Sequence, residues 1–382
     1  MSSRKPIHVL IAPNAFKNAL SAPDAAQAVL TGLEQSRLEC TAELFPIADG
    51  GDGTGKLILE KVRGEVIDVQ VQDPLGRMVP ASYGLIDGGF TAVIEMAEGS
   101  GLKLLQEDEY APLRTSSFGA GELMRHALDR GVKRMILGMG GSATVDGGMG
   151  ILQALGMNFL DAEGRLLAGR EDRFALNSID MSHLDPRILE TDLVILCDVE
   201  NPLTGERGAA RVFGPQKGAS DQDVVKLENF LLKFRDLVLR KTGKDMDVVP
   251  RGGTAGGAAA GLWGLLNAQL VSGAEFFLDL TDFNAALERA DLLITGEGNI
   301  DHQTLEGKGP YIVAQWAKER SVSVIGLAGK VPSVTDNMLE KYFDVLLPIA
   351  AQPQELSLLL QNTRPDLIRT SRALGNLLAI GK

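Results

Sequence analysis

The chain has 382 residues, 45% of them hydrophobic and 23% charged, which suits a soluble globular protein of two domains. Its formal charge of −12 speaks against nucleic-acid binding, which needs a basic face, although a few local cations and backbone N–H groups can still hold an anionic ligand. The two cysteines, Cys40 and Cys197, lie far apart and read as buried thiols. The four histidines show no paired spacing, so a structural zinc site is not expected.

In chain order, one pattern recurs: a short apolar run, a Gly- or Asp-rich turn, then a helix signature. Ile7 to Ile11 leads into Ala12-Pro13-Asn14-Ala15-Phe16-Lys17. Ser21 then reads as an N-cap with Asp24 three residues on, and Ala26, Val29, Leu30 and Leu33 follow at helical spacing. The apolar residues 44–47 lead into Asp49-Gly50-Gly51-Asp52-Gly53-Thr54-Gly55. The next stretch differs: residues 66–71, 81–86 and 91–96, separated by Asp73-Pro74-Leu75-Gly76 and Asp87-Gly88-Gly89, read as antiparallel strands. Residues 135–137 then lead into Gly138-Met139-Gly140-Gly141-Ser142-Ala143, and residues 193–196 end at Cys197-Asp198. Residues 292–295 end at Gly296-Glu297-Gly298, and residues 322–327 at Ala328-Gly329-Lys330.

Strands alternating with helices predict an α/β fold whose parallel sheet is buried on both faces, with ligands beyond the strands' carboxyl ends. The cleanest units lie at the two ends. The expected division is a discontinuous domain of residues 1–62 and 288–382, an inserted α/β domain of residues 63–287, and a ligand cleft between them. The apolar run at residues 8–11 is too short for a secretion signal, and residues 258–266 fall short of a membrane span of ~20 residues, so a cytoplasmic location is expected.

The glycine-rich segments carry the chemistry. Residues 50–56 fit the opening of a Walker A loop, but Leu57 stands where the Mg²⁺-binding hydroxyl belongs, and Asp49 and Asp52 would repel a triphosphate. An acidic rim holding a metal or substrate hydroxyls suits those two aspartates better, with Lys56 on an exposed helix face. Gly140, Gly141, Ser142, Ala143 and Thr144 match a relaxed dinucleotide fingerprint, with Asp161 near the distance of a ribose-binding acid. The loop runs on through Gly148 where a cofactor helix should already have begun, so phosphate wrapping by small residues and free N–H groups is the preferred reading. Asp198, ending an apolar strand, is a candidate general base. Lys17, Lys217, Lys308 and Lys330 all lie in such loops and can neutralise a moving phosphoryl group. Glu297 and Asp301 can complete a metal or substrate site.

Taken together, these segments resemble the type-1 glycerate kinases of bacteria nearly end to end. The carriers are Ala12 to Lys17, Ala48 to Thr54, Asp73 to Gly76, Gly119-Ala120-Gly121-Glu122-Leu123, Gly140 to Gly148, Cys197 to Leu203, Phe213 to Ala219 and Ile294 to Gly298. The resemblance implies a Rossmann-like or flavodoxin-like domain carrying the inserted one. It also implies transfer of the ATP γ-phosphate to a hydroxyl of D-glycerate, usually giving 2-phosphoglycerate. Where the family usually has Asp-Ser this chain has Asn14-Ala15, Val145 replaces a common Asn, and Asn299 a common Arg. Arg251 opens an unusual Gly-rich run that could supply the missing fork.

The resulting expectation is a kinase using ATP and Mg²⁺. Asp198, Lys17 and Asp49 are catalytic, and residues 140–144 with Lys217 bind phosphate. Asn14, Asp52, Glu297, Asp301 and Lys308 bind the acceptor, and Asp49 and Asp198 hold the metal. Asp49 or Asp301 would serve as base as well as Asp198. No nucleic-acid or membrane partner is expected, and a homodimer is compatible with the reading. A dinucleotide-dependent oxidoreductase, a kinase for a related hydroxy acid and a non-catalytic sensor of nucleotide or sugar acid are the alternatives.

Overall fold

The computed structural model describes residues 6–334 and 337–380. Its strands run, in chain order, as β1 (Ile7–Ile11), β2 (Cys40–Leu44), β3 (Glu65–Gln72), β4 (Met78–Ile86), β5 (Thr91–Glu95), β6 (Arg134–Gly138) and β7 (Asn158–Leu160). They continue as β8 (Ser178–Asp180), β9 (Asp192–Cys197), β10 (Gln269–Ser272), β11 (Leu292–Asn299), β12 (Ser323–Lys330) and β13 (Val345–Pro348). The chain forms two compact units, residues 1–49 with 274–382 and residues 50–273.

The first unit holds a five-stranded, all-parallel sheet in the order β13-β12-β11-β1-β2. That is the flavodoxin-like order: the first strand sits beside the second on one side and the third on the other. Its central strands are buried almost throughout, as a sheet covered on both faces demands. Val9, Ile11, Leu292 and Ile294 meet the helices Ala22–Glu34 and Thr363–Ile380 on one face. Ser21 caps the first of these, its hydroxyl accepting from Asp24 N at 3.2 Å, as its sequence signature predicts. Phe45, Phe283 and Trp316 form an aromatic cluster, with Phe45 meeting Phe283 edge-on at 5.0 Å.

The second unit has a six-stranded mixed sheet, β10-β9-β6-β5-β4-β3. Strands β10, β9, β6 and β5 are parallel, and β4 and β3 continue antiparallel, in line with the hairpin reading of residues 66–96. Met135, Leu137, Leu193 and Ile195 share a core with Leu123 and Met124 of helix Phe118–Asp129 and Phe230, Leu231 and Phe234 of helix Asp221–Thr242.

The boundaries expected at 62/63 and 287/288 fall instead at 49/50 and 273/274. Helix Thr54–Val62 belongs to the second unit because it packs on β4 and β5, with Leu59 against Gly84. Phe283 belongs to the first through its aromatic partners. The strand expected at residues 44–47 is the earlier Cys40–Leu44, although Phe45 N and Ile47 N still donate to Ile11 O and Pro13 O.

Helices Ala22–Glu34 and Thr363–Ile380 approach closely at Gly32, where a Cβ would lie 2.4 Å from Ile368 O and 2.6 Å from the Ser371 Cβ. Gly32→Ala should therefore lower stability by about 1–3 kcal/mol through overpacking. A thermal melt would show this as a fall of several degrees, and an unchanged midpoint would contradict so close a helix contact.

Candidate active site

In the first unit, the strand order reverses between β1 and β11, the place where sheets of this kind bind their ligands, and the loops leaving the two strands' carboxyl ends lie there. Ala12 N and Asn14 N donate to Ile294 O and Gly296 O at 2.8 Å, which carries the β1–β11 pairing into the loop. Asn14 is 8% exposed and uses both ends of its amide. Its Nδ2 donates to Asp49 Oδ2 at 2.7 Å and its Oδ1 accepts from Ala15 N at 2.8 Å. The backbone of Lys17 packs against Gly298.

Glu297 lies buried near the end of β11. Its Oε1 accepts from Thr304 Oγ1 at 2.9 Å and stands 4.0 Å from Lys308 Nζ. Burial pushes its carboxyl up to about 7, against the opposing pull of Lys308, the Thr304 hydroxyl and Lys17, while Asp49 adds to the rise. Asp301 is a helix cap: Oδ1 accepts from Gln303 N at 2.8 Å and Oδ2 from Asn299 Nδ2 at 2.5 Å. It thereby fixes the turn of 3₁₀ helix, His302–Glu306, that presents Thr304 to Glu297.

In the second unit, Glu95, Gly138 and Leu196 stand in one row at the carboxyl ends of β5, β6 and β9. The loop leaving β6 runs to Gly148, and helix Met149–Ala154 starts only there. Gly140 is required because a Cβ would fall 2.4 Å from Gly51 Cα, where residues 50–52 cross over the loop and Gly50 O accepts from Gly140 N at 3.2 Å. Asp146, buried, anchors the loop's far end. Its carboxylate accepts from Ser117 N and Oγ at 2.8 Å, from Gly148 N at 3.1 Å and from Gly150 N at 3.3 Å.

Lys217 is 3% exposed, and its Nζ donates to Ser142 Oγ and Thr144 O, both at 2.8 Å. Burial lowers its amine to about 7, opposed by the fields of Asp146 and Asp198. The Thr144 hydroxyl is buried and makes no hydrogen bond. Behind the loop, Gly147 N donates to Gly256 O at 3.0 Å and Gly253 N to Asn201 O at 2.8 Å. Arg251 sits at φ 68° and pairs with Glu200 Oε1 at 2.6 Å.

Sequence reasoning missed Glu95. It is half-buried at the end of β5 and accepts from Gly55 N, in the first turn of helix Thr54–Val62, at 2.6 Å. Burial pushes its carboxyl to about 7. Lys103 stands 3.8 Å from the neighbouring Asp52. Glu95 ends an apolar strand as Asp198 does, so the rule that singled out Asp198 also applies to it.

The predicted residues thus fall into two groups. Asn14, Lys17, Asp49, Glu297, Asp301 and Lys308 gather in the first unit, and Asp52, residues 140–144, Asp198 and Lys217 belong to the second. The proposed metal pair, Asp49 and Asp198, is divided between the units. Among the described residues, no group of three His, Cys, Asp or Glu side chains could hold a metal by itself. Lys56 is exposed and faces Glu60 at 3.9 Å, as expected outside a P-loop. Asp161 closes its own turn, accepting from Glu163 N, Arg165 N and Arg165 Nε, which leaves no ribose-binding role.

Comparison with known proteins gives the family. The model of the glycerate kinase family matches residues 9–379. A glycerate kinase of Halalkalibacterium halodurans is 42% identical over 351 residues, covering 92% of each chain. The glycerate 2-kinase of Escherichia coli K12 is 38% identical over 374 residues, covering 98% of each. A crystal structure of a Salmonella typhimurium LT2 protein, named as a glycerate kinase 2, superposes with a TM-score of 0.81 at 40% identity, covering 99% of both chains. No helix among the described residues is long and apolar enough to cross a membrane. With a family match spanning nearly its whole length, this chain belongs to the glycerate kinase family and is a kinase.

Proposed function

We propose that this protein transfers the γ-phosphoryl group of ATP to a hydroxyl of D-glycerate, giving 2-phospho-D-glycerate, with Mg²⁺ as the assisting ion and the cytoplasm as its location. The observation that carries the reading is a buried lysine amine bound to a glycine-rich loop that still has a free buried hydroxyl at Thr144. Such a loop supplies N–H groups, a hydroxyl and a cation to phosphate oxygens without bulk water. The name of the E. coli relative supports transfer to the 2-hydroxyl.

In this reading the N–H groups of Gly141, Ser142 and Thr144 wrap the nucleotide phosphates, Gly140 and Ala143 hold the loop's shape by donating to Gly50 O at 3.2 Å and Ser100 O at 2.9 Å, and Lys217 offsets the phosphate charge. Asp198, whose field reaches Lys217, is the protein carboxylate for Mg²⁺. When bound there, the ion would neutralise charge on the phosphate oxygens. Lys17 and Lys308 bind the carboxylate of the acceptor. Asn14 and Asp49, already joined to each other, orient its hydroxyls, and Asp52 with Lys103 forms a charged rim. Asp301 acts through Thr304 by holding its turn. Proton transfer from the attacking hydroxyl to a carboxylate completes the reaction.

An assay of ADP release over D-glycerate, L-glycerate, tartronate and lactate tests the assignment. D-Glycerate should give the fastest release, and phosphorus NMR should show the 2-phospho product. Absence of ADP release with every hydroxy acid would overturn the reading. Lys217→Met should lower kcat/KM by ~10²-fold, the scale expected for a lost electrostatic contact to the transferring group.

The ligand-free protein carries a further signature. Lys217 is lowered in the folded state, so between about 7 and the ordinary lysine range the unfolded chain binds the extra proton. Stability from this group therefore rises with pH across that window. Thermal melts from pH 7 to 9.5 should show a rise in the wild type relative to Lys217→Met, and parallel curves would contradict so deeply buried an amine.

A further inference from the structure

We infer that Glu297 is the general base of the reaction, accepting the proton of the hydroxyl that attacks the γ-phosphorus. This rests on the kinase reading above, and it replaces Asp198, Asp49 and Asp301 in that role. A base needs a fixed carboxylate with one oxygen still able to accept, placed where a small substrate can reach it. Glu297 meets each requirement. It stands near the carboxyl end of β11, one of the two strands that flank the point where the order of the parallel sheet reverses. Thr304 Oγ1 holds Oε1 at 2.9 Å, and among the described residues no protein hydrogen bond goes to Oε2.

The other candidates are engaged elsewhere. Asp301 has both oxygens occupied by Gln303 N and Asn299 Nδ2. Asp49 accepts the Asn14 amide on Oδ2 and is tied by that bond to orienting the acceptor's hydroxyls. Asp198 contributes its charge beside Lys217 and the phosphate loop, where an anion serves a metal ion better than a proton.

The groups facing Glu297 come from several elements. Lys308 begins helix Gly309–Glu319, Lys17 lies in the loop after β1, Asp49 in the loop after β2, and Thr304 in the 3₁₀ turn. The two lysines keep the carboxylate ionised enough to accept a proton, while its burial keeps it basic. As the acceptor's oxygen bonds to the γ-phosphorus, the bond from that phosphorus to the β–γ bridging oxygen breaks and ADP departs. The hydroxyl proton passes to Glu297 Oε2 and then to solvent, so charge and atoms balance.

Steady-state kinetics of the purified enzyme with Mg-ATP and D-glycerate, from pH 5.5 to 9, tests the assignment. In the wild type, kcat should rise through an acid limb near 7 and level off above it, because the base must be ionised. Glu297→Gln should lose ~10²–10⁴-fold in kcat, keep the KM for ATP within about twofold and lose the limb. Thr304→Val should retain turnover but move the limb upward, since the lost hydrogen bond had favoured the ionised form. A wild type inactive on D-glycerate would overturn the kinase reading itself. An active wild type with Glu297→Gln turning over within about threefold would overturn only the base assignment. Should Glu297→Gln fail to fold, Thr304→Val decides, because an unmoved limb refutes the assignment and an upward shift supports it.

Discussion

The buried Lys217 amine is the interaction on which the shape of the glycine-rich loop after β6 depends. An ammonium group sealed from water is unfavourable unless hydrogen bonds and nearby anions compensate it. Here Ser142 Oγ and Thr144 O supply the bonds, and Asp146 and Asp198 supply the field. Asp146 does so while knitting Ser117, Gly148 and Gly150 into one turn. The same contacts that make the lysine tolerable therefore fix the loop's shape. On the proposed reading, an arriving phosphate would find its donors already oriented, so less ordering would be left to binding.

Under the proposed mechanism, the first unit solves a different problem with the same means. An acceptor such as a hydroxy acid needs cations for its carboxylate and a base for its hydroxyl, two demands that oppose each other when placed together. Burial at Glu297 separates them. Lys308 and Lys17 serve the acceptor's carboxylate, while burial holds the Glu297 carboxyl close to neutral pH instead of far below it. Perturbed groups of this kind gather where rigid strands end, because only a rigid scaffold keeps such a carboxyl from relaxing toward water.

Much of this architecture was legible in the residues. The apolar runs leading toward Lys17, Asp198 and Glu297 predicted the α/β class and located strands β1, β9 and β11, because strand burial leaves a strong periodic signal, although β11 runs on to Asn299. The Gly138 loop betrayed itself as no dinucleotide site by running ten residues past its strand before its helix. What escaped was set by tertiary packing. Helix Thr54–Val62 looks like part of the first unit until Leu59 and Gly55 are seen against Gly84 and Glu95. Glu95 was hidden inside an expected strand. Asp301 could not be told from a base, since cap and base share one residue type and differ only in what their oxygens touch.

The claim at the centre of this account is that residues 140–148 are a phosphate-binding loop. Amide hydrogen exchange of the full chain, with a non-hydrolysable ATP analogue or with NADH added, tests it most directly. The account predicts that the analogue with Mg²⁺ slows exchange at the 140–148 amides and that NADH leaves them unchanged. Unaltered exchange there with the nucleotide bound, or protection by NADH instead, would contradict it.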